Sequence, residues 1–356
     1  MNEQEMKLQY LLSMVTPPNE TARELAMTHW DRCAKPLGSL GVLEEDLIQI
    51  AALTGSDEFD FSRSAVLVLC ADNGVTAEGV SQTGSEVTAK VANQLAQGTT
   101  SVCRMAETTG CTVVPVDLGI LDYPGNPKVL DRRITNGTGN ISKGIAMTRQ
   151  ETVSAILTGI RLVKEQKGAG YTLLAAGEMG IGNTTTSAAV TSVLLGQDPS
   201  AVTGRGSGLG DSALQHKTEV IRNSIALNEP IPYDPIDVLS KVGGLDIAGL
   251  CGVFLGGAIY QIPVLMDGLI SSVAALCAVR LCPAAEKSIL ASHVSSEPAA
   301  AMVLQELRKK PLIAAGLHLG EGTGAVAVIP LLKMAAAVYH KTYTFDEGGI
   351  PQYHPW

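Results

Sequence analysis

Five short apolar runs, at 65–70, 112–116, 172–176, 263–266 and 288–292, recur along the chain with helix-period patterns between them. The runs are nearly continuous and do not alternate, so the strands they form must be covered on both faces. Parallel sheets meet that condition, because their crossover connections lay helices on both sides. The expected fold class is therefore α/β, a doubly wound parallel sheet flanked by helices. A length of 356 residues with 46% hydrophobic content supplies a sizeable core and room for about two domains.

Charge and cysteine usage narrow the class. Lys+Arg 26 against Asp+Glu 35 leaves a net charge of −9, the wrong sign for coating a phosphate backbone, so no nucleic-acid partner is expected. The seven cysteines (Cys33, Cys70, Cys103, Cys111, Cys251, Cys277, Cys282) are odd in number and never form a C-x-x-C pair. Reduced core thiols are expected, not disulfides or zinc ligands. The opening Met1-Asn2-Glu3-Gln4-Glu5 has no basic region leading into an apolar stretch, which reads as a cytoplasmic protein. Residues 247–266 carry no charge and hold Gly252 and Gly256 at the spacing of a transmembrane dimer motif. Gly249, Gly257, Gln261 and Pro263 in the same run argue instead for a buried helix followed by a buried strand, so no membrane partner is expected.

The first sixty residues are richer in charge and helical in pattern, with Pro17-Pro18-Asn19-Glu20 reading as a helix start. Residues 326–339 form an apolar helix. The expected division is a small helical domain from both chain ends (1–60 plus 330–356) and a large α/β domain (61–329) that carries the active site.

Ligands of open parallel sheets bind at the carboxyl ends of the strands. The residues that follow the five runs are Asp72-Asn73, Asp117, Glu178, Asp267 and His293-Val294-Ser295. Each alone reads as a helix cap or turn residue. Five polar strand ends together point to a site at that rim.

Three glycine-rich segments carry chemistry. Residues 177–187, Gly-Glu-Met-Gly-Ile-Gly-Asn-Thr-Thr-Thr-Ser, link a strand to a helix and suit a phosphate cradle, with Gly180 and Gly182 allowing close backbone approach and Asn183 and Thr184 opening the helix. The plain alternative is a βα turn capped by threonine. The segment is not a Walker A loop, since it has no Lys-Ser/Thr pair. Residues 320–325, Gly-Glu-Gly-Thr-Gly-Ala, formally fit a dinucleotide fingerprint, but Glu321 would oppose a pyrophosphate. The alternatives are a rigid, ligand-facing turn in which Gly320 and Gly322 present Glu321 as a general base, or a solvated turn glutamate. Residues 204–211 precede a helix bearing Lys217, and Arg205 and Lys217 are the candidate cations for a phosphate. His293 reads as a core histidine, with no partners at metal spacing.

Longer motifs run in a fixed order: Lys35-Pro36-Leu37-Gly38-Ser39-Leu40-Gly41, Ala71-Asp72-Asn73-Gly74-Val75, Glu86-Val87-Thr88, Gly137-Thr138-Gly139-Asn140-Ile141, residues 177–185, Val242-Gly243-Gly244 with Asp246, residues 263–268, Ser292-His293-Val294-Ser295-Ser296-Glu297-Pro298 and residues 319–324. Over nearly the whole chain they resemble the nicotinate-nucleotide:dimethylbenzimidazole phosphoribosyltransferases of cobalamin lower-ligand assembly. The resemblance implies a Rossmann-like parallel sheet, a homodimer or a heterodimer with a homologous subunit, no metal and no cofactor. It also implies transfer of 5-phosphoribose from nicotinate mononucleotide to an aromatic base, giving an α-riboside phosphate and nicotinate. By matching positions it makes Glu321 the general base and Glu178 a second acidic group, with Gly180, Lys217 and Ser295 as phosphate or ribose contacts. Gly182, Asn183, Thr184, Gly320, Gly322, His318, Leu319, Thr83, Glu86, Val91 and Asp267 complete the implied substrate-binding set.

The chemistry is consistent with these residues. Departure of a pyridinium leaving group leaves oxocarbenium character that carboxylates stabilise, and a neutral benzimidazole loses its N–H to a weak base as it attacks. Two positions depart from the family pattern: Val91 where many members have glutamine, and His318 where many have arginine. A more apolar acceptor pocket could take phenol or cresol, as in relatives that pair with a non-identical subunit. The other readings are a nucleotide-binding subunit without catalysis, against which Glu178 and Glu321 stand, and a dinucleotide oxidoreductase, supported only by the fingerprint at Gly320.

Overall fold

The computed structural model describes residues 2–206 and 208–354. All five apolar runs form strands, each within one or two residues of the expected bounds at most ends: β1 (Ser64–Ala71), β2 (Cys111–Gly119), β4 (Leu173–Met179), β5 (Val264–Met266) and β6 (Ile289–Ala291), joined by a short β3 (Leu130–Asp131) that no apolar run announces. They make one six-stranded sheet in the order β3-β2-β1-β4-β5-β6, and every pair is parallel. This is the Rossmann-like order, whose direction of winding reverses between β1 and β4, the place where α/β sheets open a crevice for ligands.

Every residue of β1 is buried, and its side chains alternate between two cores. Ala65, Leu67 and Leu69 pack with Ile156, Val253 and Leu255, while Val66, Val68 and Cys70 pack with Trp30, Leu47, Ile329 and Tyr339. The near-continuous apolar pattern is thus the imprint of helices on both faces. The charge-free run at 247–266 is the buried helix Leu245–Tyr260 followed by β5, as its glycines imply. A Cβ at Gly252 would sit 1.9 Å from the Ile156 carbonyl of helix Arg149–Gly168, so only glycine lets these two helices approach. The apolar helix Thr323–Lys341 is long enough to cross a bilayer, yet Val328, Ile329, Leu332 and Tyr339 bury it against the sheet.

The chain ends meet. Asn19 caps helix Glu20–Arg32 through the Ala22 N–H, where the sequence places a helix start. The Ala34 N–H donates to the Tyr343 carbonyl at 2.9 Å, the Phe345 N–H to the Arg32 carbonyl at 3.0 Å, and Trp30 meets Tyr339 edge to face at 5.0 Å. These terminal helices share one continuous core with β1, while the first helix, Glu3–Leu12, sets Leu8 into the core of the opposite face. All seven cysteines are free thiols, and six of them are buried.

Candidate active site

Strand β4 runs through Met179, so Gly177 and Glu178 belong to the strand and not to the loop that the glycine pattern suggests. The hydrogen-bonded ladder with β1, in which Glu178 pairs with Leu69, extends the strand across those glycine-flanked residues. Glu178 is therefore held by the sheet, at the edge of a cavity of about 810 Å³ outside the carboxyl ends of the strands. Helix Asn183–Leu195 starts beside it, with Gly182 as its left-handed N-cap.

The acid end of the cavity is assembled from four segments. Asn183 Nδ2 donates both to Glu178 Oε2 and, at 3.0 Å, to Asp246 Oδ2, so one amide holds two buried carboxyl groups. Burial pushes Glu178 up to about 8, and Asp246, Asp267 and Glu321 add to the effect by like-charge repulsion. Burial likewise raises Asp246 and Asp267 to about 6. Asp267, at the end of β5, accepts the Ala325 N–H at 3.0 Å and so ties that strand to the start of helix Thr323–Lys341.

Glu321 precedes that helix in a turn where Gly320, Glu321 and Gly322 all have positive φ, of 90°, 58° and 85°. Glycine adopts this conformation freely and glutamate does not, so the two flanking glycines leave the strain on one residue. The turn is pinned by the Glu321 N–H donating to the Glu178 carbonyl at 3.3 Å and by Thr323 Oγ1 donating to the Gly320 carbonyl at 2.9 Å. The Glu321 carboxylate, partly exposed to the cavity, accepts the Val102 N–H at 3.1 Å, in the first turn of helix Ser101–Thr109.

At the other end, Lys217 is completely buried and does not reach the cavity wall. Its ammonium stands behind that wall, donating to Thr184 Oγ1 at 2.9 Å and to the Gly204 carbonyl at 3.2 Å. Burial lowers it to about 8, with Glu297 opposing the shift. Arg205 lines the cavity, with its guanidinium on Asp211, at 2.5 Å, and on the Leu209 carbonyl. Ser207, in the same glycine-rich run, lies outside the described residues.

A family model described as phosphoribosyltransferase matches residues 15–350. The chain belongs to that family. It is 43% identical over 350 residues to the nicotinate-nucleotide–dimethylbenzimidazole phosphoribosyltransferase of Ruminiclostridium cellulolyticum, covering 98% of this chain and 99% of the relative. To the Escherichia coli K12 protein of the same name it is 40% identical over 331 residues, covering 93% and 92%. The crystal structure of CobT from Thermus thermophilus superposes with a TM-score of 0.88 at 38% identity, over 94% of this chain and 100% of that one.

In this phosphoribosyltransferase the cavity brings together Glu178, Gly180, Gly182, Asn183, Thr184, Asp267, Ser295, His318, Leu319, Gly320 and Glu321. It does not bring Gly322 to the wall, nor Thr83, Glu86 and Val91. Thr83 and Glu86 are exposed around the start of helix Glu86–Gln97, and Val91 packs, half-buried, against the apolar core below that helix. Two of the strand-end acids are structural: Asp72 accepts from Thr88 Oγ1 and the Leu121 N–H, and Asp117 pairs with Arg133 at 2.8 Å. His293 does line the cavity, with Nδ1 3.1 Å from Ser292 Oγ and 3.9 Å from Asp267, and burial holds its imidazole below the usual range. The wall residues Thr203, Ile270 and Ser271 escape the pattern reading because they belong to no glycine-rich segment, and Glu297, though inside the 292–298 motif, is given no role by it. For Ile270 and Ser271 the available signal was a strand-end acid, Asp267, followed at once by a helix.

Proposed function

We propose that this chain transfers 5-phosphoribose from nicotinate mononucleotide to a lower-ligand base of the 5,6-dimethylbenzimidazole type, releasing nicotinate and an α-riboside phosphate, in cobalamin nucleotide-loop assembly. The observation that carries this reading is a single cavity with carboxyl groups at one end and a buried ammonium behind a helix N-terminus at the other. An anionic phosphate and a sugar that develops positive charge need those two surroundings within one cavity.

The phosphate is read at the Asn183 helix start, with Thr184 in contact and Lys217 behind it. The ribose then faces Glu178 and Asp267. Glu321 takes the benzimidazole N–H as the ring nitrogen attacks the face opposite the departing nicotinate, which inverts the anomeric carbon. Glu178, pushed up to about 8, is a neutral acid at pH 7 and donates a hydrogen bond to the sugar or its leaving group. A homodimer in the cytoplasm is the proposed setting, on the family resemblance.

The test is incubation with nicotinate mononucleotide and a panel of benzimidazoles, purines and phenols, with products read by mass. An α-riboside phosphate of a benzimidazole is expected. Formation of riboside phosphates from phenols alone, or no consumption of the nucleotide, overturns the reading.

A further inference from the structure

The phosphate end of the cavity contains a carboxylate, the group a phosphate should least tolerate. Glu297 Oε1 accepts the Gly206 N–H at 3.1 Å. Its Oε2 is buried and finds no hydrogen-bond partner among the described residues. The carboxylate lies against the Gly204 backbone, where a Cβ would come within 1.6 Å of Oε2. Lys217 donates to the carbonyl of that same glycine, and the charge of Glu297 acts on its ammonium. The Gly206 N–H bonds this carboxylate, and the Lys217 ammonium, which makes no ion pair with it, is bonded to Thr184 Oγ1 and the Gly204 carbonyl nearby. A backbone N–H and a buried ammonium are groups that suit an oxyanion. The oxyanion in place is a side chain.

Leaving a buried carboxylate oxygen unpartnered is unfavourable. So is burying an ammonium without a counter-charge. Each partly offsets the other through space, and an arriving phosphate meets the lysine as a competitor of Glu297.

We propose that Glu297 is a resident anion, which the 5′-phosphate of the nucleotide displaces from the Gly206 N–H and from the field of Lys217, so that its charge sets the affinity and selectivity of the site for phosphate. This rests on the placement of the nucleotide phosphate at Thr184 and Lys217. A phosphate anchored through its ribose competes with the tethered carboxylate better than a free anion does.

Glu297→Gln keeps an oxygen for the Gly206 N–H and removes the charge. At pH 7, calorimetric titration with inorganic phosphate and with ribose 5-phosphate should show binding about tenfold tighter than in the unmodified protein, the scale of one opposed charge at the rim of a protein interior. KM for nicotinate mononucleotide should fall by a similar factor, and the shift should not extend to KM for the acceptor base. Glu297→Ala, which also lacks the charge, should tighten phosphate in the same direction. A residue that merely anchors the 204–206 segment would give the opposite sign. Unchanged or weaker phosphate binding in both variants, at unaltered Tm, overturns the assignment. The titration needs no turnover: tighter phosphate in the variants without any riboside product would remove the proposed reaction and leave the resident anion standing.

Discussion

The two ends of the cavity are built from different parts of the fold. At the acid end, Glu178 stands on β4, Asp267 directly follows the neighbouring β5, and the Glu321 turn is bonded to β4 itself, so the sheet sets their positions. At the end proposed for the phosphate, Thr184, Gly204, Gly206 and Glu297 come from a helix start, two loop positions and the N-cap of helix Pro298–Glu306, and Lys217 bonds Thr184 and Gly204 from behind. Burial weakens the charge at both ends, driving Glu178 up to about 8 and Lys217 down to about 8. A sheet can hold reacting groups to a few tenths of an ångström, which chemistry needs. Loops and helix starts offer N–H groups in number, which a phosphate needs.

The largest break in this comparison should come from Glu321→Gln, which keeps the shape of the turn and removes its base. Turnover should fall by about 10²–10⁴-fold, with nucleotide binding by calorimetry nearly unchanged. Retention of most turnover here, together with its loss in Glu178→Gln, would reverse the roles of the two carboxyl groups.

Next in size is Lys217→Ala. Loss of a charge-assisted interaction should raise KM for nicotinate mononucleotide by about 10–100-fold and spare the acceptor base. An unchanged nucleotide KM would remove the lysine from the phosphate end.

A smaller effect separates the two ends by pH. Both Glu178 and Lys217 titrate near pH 8, so kcat/KM of the free enzyme should fall above that pH with a slope steeper than one group gives. Glu178→Gln should remove one of the two titrations and keep turnover at pH 7 within about tenfold, since the native side chain is then a neutral acid. Stability should also respond. The folded chain holds the Glu178 proton up to about pH 8 while the unfolded chain releases it near 4.5, so the folded state binds more protons in that window and stability falls as pH rises through it. Glu178→Gln should therefore raise Tm little at pH 4 and clearly at pH 8.5. An equal change at both values would mean the acid is not protonated when folded.

The smallest change is expected at Val91→Gln. The side chain packs on the core below helix Glu86–Gln97 and off the cavity wall, so the ranking of benzimidazoles against phenols should stay fixed. A shifted ranking would place residue 91 against the acceptor after all, and would show that the acid end extends beyond the cavity described.

By itself the sequence determined the sheet and its sidedness. Strands buried on both faces must be apolar at every position, and that demand is written locally in each run, as is the glycine needed where helix Leu245–Tyr260 meets helix Arg149–Gly168. The two carboxyl groups proposed to react could be picked out for the same reason, because strand ends and glycine-flanked turns are local signals. The sequence did not show β3, whose two residues pair with Val116 and Asp117 only because β2 is already in place. Nor did it show that Glu178 belongs to a strand, that Asn183 bridges it to Asp246, which lies 63 residues beyond that asparagine, or that Lys217 stands behind Thr184 in the field of Glu297. Charge and protonation depend on burial and on neighbours brought together across the fold. No local pattern encodes them, and only tertiary packing decided them.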